Sequence, residues 1–139
     1  MNITTDYLVS LAACQDGIDA FLSIFPNGEA ELSSDNISKA LSGGLDVTWL
    51  IERINDPNTL AELSQDENDS VREIVARHRN TPADTLVKLS QDEHDWVREI
   101  VASNQNTPAD TLAELSKDGD YWVRNAVTKN PTYKGAQTA

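Results

Sequence analysis

Residues 80–105 read NTPADTLVKLSQDEHDWVREIVASNQ, and the same pattern stands on both sides of them. Asn106 opens NTPADTLAELSKDGDYWVRNAVTKNP downstream, and Asn55 opens NDPNTLAELSQDENDSVREIVARHR upstream. Leu60, Leu86 and Leu112 are spaced by 26 residues, as are Val71, Val97, Val123 and Arg72, Arg98, Arg124. A fixed period of about 20–50 residues is the signature of a stacked-repeat architecture. In the middle copy, Thr81 precedes Pro82, and proline suits the first helical position because its missing N–H would find no partner there. Thr81 is placed to cap and Asp84 to reach back, so the pattern predicts a first helix from Pro82 to about Ser90. Leu86 and Leu89 share its apolar face. Asp95 is expected to cap a second helix over Trp96–Ser103, where Val97, Ile100 and Val101 fall at i, i+3, i+4. Asn104 and the following Asn-Thr-Pro end that helix.

One such unit cannot bury its own apolar face, and helices this short are marginal alone. Stacking puts Leu60, Leu63, Leu86, Leu89, Leu112 and Leu115 against one another, and about three copies is the usual minimum. The fold class that follows is all-α: a short solenoid of about three 26-residue two-helix repeats over 55–131. The pattern N-T-P-x-x-T-L-x-x-L-x-x-D-x-x-x-x-V-R-x-x-V-A resembles the leucine-rich repeat variant, a relative of HEAT-type repeats. The resemblance implies a right-handed solenoid in which an α-helix alternates with a shorter helix. Some members of that family carry a cysteine cluster for an iron–sulfur centre. This chain has one cysteine, Cys14, so the cluster does not transfer and no cofactor is expected. The family names a shape, not an activity.

Residues 1–54 lack the repeat and are expected to form an N-terminal helical cap over the apolar end of the stack. Thr5 and Asp6 are candidate caps for a first helix carrying Leu8, Leu11 and Ala12. Ile18, Phe21, Leu22 and Phe25 form an apolar stripe ended by Pro26-Asn27-Gly28. Residues 28–32 are open to a brief extended piece. Ser34 is placed to cap a third helix that Gly43-Gly44 terminates, and Asp46 a fourth, with Val47, Leu50, Ile51 and Ile54 inward. Ala13-Cys14-x-x-Gly17-x-x-x-Phe21-x-x-x-Phe25 is loosely similar to openings of small phage-encoded proteins. At the other end, Asn130-Pro131 breaks the pattern, and 132–139 reads as a flexible tail.

The chain of 139 residues carries a net charge of −12. That balance argues against binding to nucleic acid or anionic membrane, and suits a basic partner surface. One cysteine rules out an internal disulfide framework. No charged-then-apolar leader and no long apolar run is present, so a cytoplasmic protein is expected. Cys14 lies in an apolar stripe, and the expectation is a buried, inert thiol; its spacing to His78 and His94 matches no nucleophile motif. Gly43-Gly44 has no following lysine and does not form a phosphate loop.

Three acidic turns recur at the repeat period: Asp66, Glu67 and Asp69; Asp92, Glu93 and Asp95; Asp118 and Asp120. They lack the sixth-position glycine and twelfth-position glutamate of a calcium loop, so no metal is expected. Two readings stand for them: capping and turn chemistry, or an acidic rail imitating nucleic-acid phosphates to a basic groove. Arg72, Arg98 and Arg124, six residues after Asp66, Asp92 and Asp118, are expected to form an Asp–Arg network between repeats. Trp96 and Trp122 are equivalent positions, with Tyr121 beside the second and Ser70 in the first copy. They either anchor an interface or pack on the neighbouring turn. The functional expectation is a non-enzymatic acidic interaction module docking on a basic protein, and no direct nucleic-acid contact. Its sharpest form is a phage or mobile-element inhibitor of a bacterial defence complex. The alternative is a passive scaffold or assembly adaptor that self-associates through hydrophobic contacts.

Overall fold

In the computed structural model, residues 1–138 are described, with side chains to 134. Contacts divide the chain into two compact units, Met1–Ile54 and Asn55–Ala139.

The second unit holds the repeats. The first copy contains α5 (Pro57–Leu63) and α6 (Asp69–Arg77), the second α7 (Ala83–Leu89) and α8 (Asp95–Ser103), the third α9 (Ala109–Leu115) and α10 (Tyr121–Lys129). The long helices stack directly: α8 packs on both α6 and α10. The recurrent apolar positions meet as the period predicts. Leu60, Leu86, Leu112, Val75, Val97, Val101, Val123 and Val127 are all fully buried. Helices of seven to nine residues owe their stability to this packing rather than to propensity. The repeat unit is thus an all-α solenoid.

Several local assignments change. Thr81 does not cap α7. Its buried hydroxyl donates to the Val75 carbonyl at 2.6 Å, and Thr107 does the same to Val101 at 2.6 Å. Each threonine therefore closes the end of the preceding long helix, where free carbonyls need donors. In the first copy Asp56 replaces the proline and caps α5 through the Thr59 N–H. The N-cap of the second helix lies one residue earlier than Asp95. Asn68 and Asp120 occupy that position and accept the N–H groups of Ser70 and Trp122, while His94 there makes no capping bond. Residues 132–138, expected as a tail, continue a helix, α11 (Pro131–Thr138); Ala139 lies outside the described residues. Asn130 accounts for this: its side chain accepts the Thr132 N–H at 2.9 Å, and Pro131 sits where its missing N–H is harmless.

The repeats are also tied along a second line, made by asparagine side chains. Asn104 Nδ2 donates to the Ala76 carbonyl at 2.8 Å and the His78 carbonyl at 3.3 Å. Asn130 repeats this on Ala102 at 2.7 Å and Asn104 at 3.0 Å. Each asparagine amide thus satisfies carbonyls at the C-terminus of the preceding repeat's helix. The recurrence of Asn104 and Asn130 at the period was its signal in the sequence.

The first unit is not purely helical. Strands β1 (Asn2–Thr4) and β2 (Glu29–Glu31) pair antiparallel with Ile3 opposite Ala30. Around them lie α1 (Thr5–Ser10), α2 (Gln15–Ile24), α3 (Ser34–Ser42) and α4 (Val47–Ile51). Asp46 caps α4 as expected, accepting the Trp49 N–H at 2.8 Å. The caps of α1 and α3 are Thr4 and Ser33, each one residue before the expected ones. Leu22, assigned to the apolar stripe, is exposed, whereas Phe21 is buried. Gly28, at φ 73°, supplies the left-handed turn that feeds β2. Ile3, Leu8, Phe21 and Ala30 form the centre of this unit's core.

Candidate interaction surface

The three acidic turns join the short helix of each copy to the long one. Their geometry is governed by the arginines. Arg72 sends Nε and Nη2 to the Asp92 carboxylate at 2.7 and 3.2 Å, a two-pronged grip across to the next repeat. Its Nη1 donates to the Asp66 and Glu67 carbonyls at 3.0 and 3.1 Å. Arg98 copies this: Asp118 at 2.9 and 3.1 Å, and the Asp92 carbonyl at 2.9 Å. Arg124 holds the carbonyls of Asp118 at 2.7 Å and Gly119 at 3.0 Å. So all three arginines bind the backbone of their own turn, and Arg72 and Arg98 also bind the carboxylate 20 residues ahead rather than the one six residues behind. The guanidinium fork matches a carboxylate in a way a lysine cannot.

This arrangement sorts the expected contact residues. The Asp92 and Asp118 side chains are only 5% and 12% exposed and belong to the ladder. Asp66 is buried, with its carboxylate accepting the Asn68 N–H at 2.8 Å. Asp120 caps α10 through the N–H groups of Trp122 and Val123. Glu67, Glu93 and Asp95 are exposed, and Asp69 is half-exposed. His94 Nε2 stands 3.7 Å from both Asp69 Oδ2 and Glu93 Oε1, so the first and second turns meet at the surface.

The aromatics at the starts of the long helices stay in solvent. Trp96 is 41% exposed, Tyr121 59% and Trp122 60%. Trp96 stacks on the His94 ring with centroids 4.2 Å apart, and Tyr121 meets Trp122 edge-on at 5.2 Å. They pack on aromatic neighbours of their own turns and keep open surface.

The ladder sets an acid limit. The Arg98 hydrogen bond, opposed by burial and helped by the Asp120 N–H, holds the Asp118 carboxyl below its ordinary 3.8. Burial pushes Asp92 up, but the Arg72 hydrogen bond and the His94 N–H outweigh it, and its carboxyl also lies below 3.8. A depressed carboxyl stabilises the fold above its unfolded value, and that contribution is lost as pH falls through the lower folded value. Melting temperature should therefore drop in the window below 3.8, and drop less steeply in an Asp92→Asn/Asp118→Asn variant. Parallel curves for the two proteins would remove the ladder from acid stability.

Cys14 is exposed at the N-cap of α2, not buried in an apolar face. Its position just ahead of the helix, rather than on its inward stripe, is the reason. It borders a cavity in the first unit whose lining includes no histidine. Among the described residues, no three His, Cys, Asp or Glu side chains gather to hold a metal ion. No helix among them is long and apolar enough to cross a membrane.

Short paired helices stacked at a fixed period, locked by paired side-chain ladders, define a helical-repeat scaffold. The family described as leucine rich repeat variant matches residues 70–94 and 95–120. A solved structure described as a leucine-rich repeat variant with a novel repetitive structural motif superposes with a TM-score of 0.52 at 22% identity. The likeness covers 97% of this chain, which spans 65% of that one. No curated protein matches.

Proposed function

We propose that the repeat unit is a non-enzymatic interaction module whose working edge is the row of turns carrying Trp96, Tyr121 and Trp122 among exposed acids. The observation that carries this is the exposure of three large aromatics at the acidic turns, Trp96 next to Asp95 and Tyr121 and Trp122 next to Asp120. Aromatic anchors within an acidic rim suit a partner surface rich in lysine and arginine, through burial and cation–π contact. Asp66, Asp92 and Asp118 act on the reading indirectly, by holding the turns in register. Glu67, Asp69, Glu93, Asp95 and Asp120 supply the charge. The acidic balance of the chain supports a basic partner and opposes a phosphate-bearing one. A nucleic-acid-binding complex, such as the defence complex suggested by the phage-like opening, presents that kind of surface.

Partners captured from bacterial lysate by the wild-type chain and by a Trp96→Ala/Trp122→Ala variant would test this. Partners of the edge should be lost from the variant and from wild type at high salt, where rim electrostatics are screened. A captured set unchanged by both treatments would overturn it. Salt-insensitive self-association by light scattering would instead favour the assembly-adaptor reading.

A further inference from the structure

The first unit contains an apolar cavity of about 330 Å³, built entirely from residues 3–50. Its volume falls within the range of small binding sites, roughly 300–1,000 Å³. Buried Ile3, Leu8, Phe21 and Ile37 form the floor, and half-buried Phe25 and Trp49 stand in the wall. Protein interiors are close-packed, so apolar walls around a space this large lack the contacts that burial normally brings. The mouth is made by the exposed residues of the lining, among them Ala12, Cys14, Glu31 and Asp46. Ala12 has φ 62°, and among the described residues no other non-glycine has a positive value. It is the left-handed end of α1, where the Ala12 N–H donates to the Val9 carbonyl at 2.9 Å and the Ala13 N–H to the Leu8 carbonyl at 3.0 Å. Here it turns the chain between α1 and α2 so that Ala12, Ala13 and Cys14 border the opening rather than close it.

Charge selects the occupant. Two carboxylates stand at the mouth, and the unit carries eight acidic side chains against Lys39 and Arg53 alone. Arg53 lies over the Trp49 ring at 4.2 Å and donates to the Trp49 carbonyl, which ties it to one wall. An anionic amphiphile or an anionic lipid headgroup would meet repulsion there. We propose that this cavity receives large apolar side chains from a lysine- or arginine-flanked segment of a partner protein: the apolar anchors fill the floor, and the flanking cations face Glu31 and Asp46. The site lies in the unit that carries none of the repeats and does not depend on the edge formed by Trp96 and Trp122.

Cys14 is the chain's single thiol and stands at the mouth, so its alkylation rate reports occupancy. The experiment times maleimide labelling of the full chain with a synthetic peptide, acetyl-Lys-Leu-Lys-Phe-Lys-amide, against its twin with glutamate for lysine, and against octylamine. With the basic peptide at about ten times its Kd, labelling should slow about tenfold and saturably. The acidic twin and octylamine at equal concentration should leave it near the free rate. Glu31→Lys, at an exposed strand position, should abolish protection, read against that variant's own free labelling rate, while the melting temperature stays near wild type. Ala13→Leu, which puts a side chain into the space, should do the same. Absence of protection by the basic peptide overturns the proposal. So does equal protection by the acidic twin, which would make the site merely apolar. Equal protection by octylamine overturns it as well, in favour of a small-molecule site.

Discussion

Leu86→Ala is expected to lower the stability of the repeat unit by about 2–5 kcal/mol, the range for emptying a leucine site in a packed core. Leu86 has no exposed surface and sits between its equivalents Leu60 and Leu112 in the central copy. Its loss leaves a void that short helices on both sides cannot close without shifting a neighbouring repeat. For a unit of this size the change corresponds to roughly 10–40 °C in melting temperature. The neighbouring Val87 is 42% exposed on the same helix, so Val87→Ala is the matched control and should stay within about 0.5 kcal/mol. If the two variants melted together, the leucine row would not be the spine of the stack.

The second large effect is expected at Arg98. It is the middle rung of the ladder, with Asp118 ahead of it and the Asp92 carbonyl of its own turn beneath it. Arg98→Ala removes four hydrogen bonds, two to the Asp118 carboxylate and one each to the Asp92 and Glu93 carbonyls, and takes from that mostly buried carboxylate its directly bonded counter-charge. Because both partners keep some exposure to water, the cost should be about 2–4 kcal/mol, below the extreme for a fully buried pair. Arg98→Lys should recover little, since an ammonium cannot reach both the carboxylate and the carbonyl in one plane. Arg77, exposed and paired with Glu73 on one helix face, provides the contrast: Arg77→Ala should cost about 0.5 kcal/mol or less. Chemical denaturation of the three variants distinguishes the outcomes. An Arg98→Lys protein within about 0.5 kcal/mol of wild type would reduce the ladder to surface decoration.

These two variants probe different consequences of the same repeat. The leucine and valine positions were legible because burial demands apolar side chains at helical spacing, and a 26-residue period copies that demand three times. The array, its all-α class and its likeness to leucine-rich repeat variants all follow from it. Cap positions were legible only to within a residue. Asn, Asp, Ser and Thr at neighbouring sites all offer oxygens, and only the path of the chain decides which one meets an N–H. Thr81 shows this, since its hydroxyl turns back to Val75 instead of forward to α7.

What the sequence determined by itself was the unit of repetition, the side chains that must be hidden and the excess of negative charge. The tertiary structure decided which aspartates are spent on holding the stack and which remain at the surface. Asp92 looks equivalent to Asp95 in a row of acidic letters, yet the first is gripped by Arg72 and the second faces water. It likewise decided that Cys14 stands at the mouth of a cavity and that residues 131–138 form a helix. In each case the partner comes from a different part of the chain or from a turn whose direction is set by packing. Local pattern specifies what a residue can do; the distances that select one option exist only once the chain has folded.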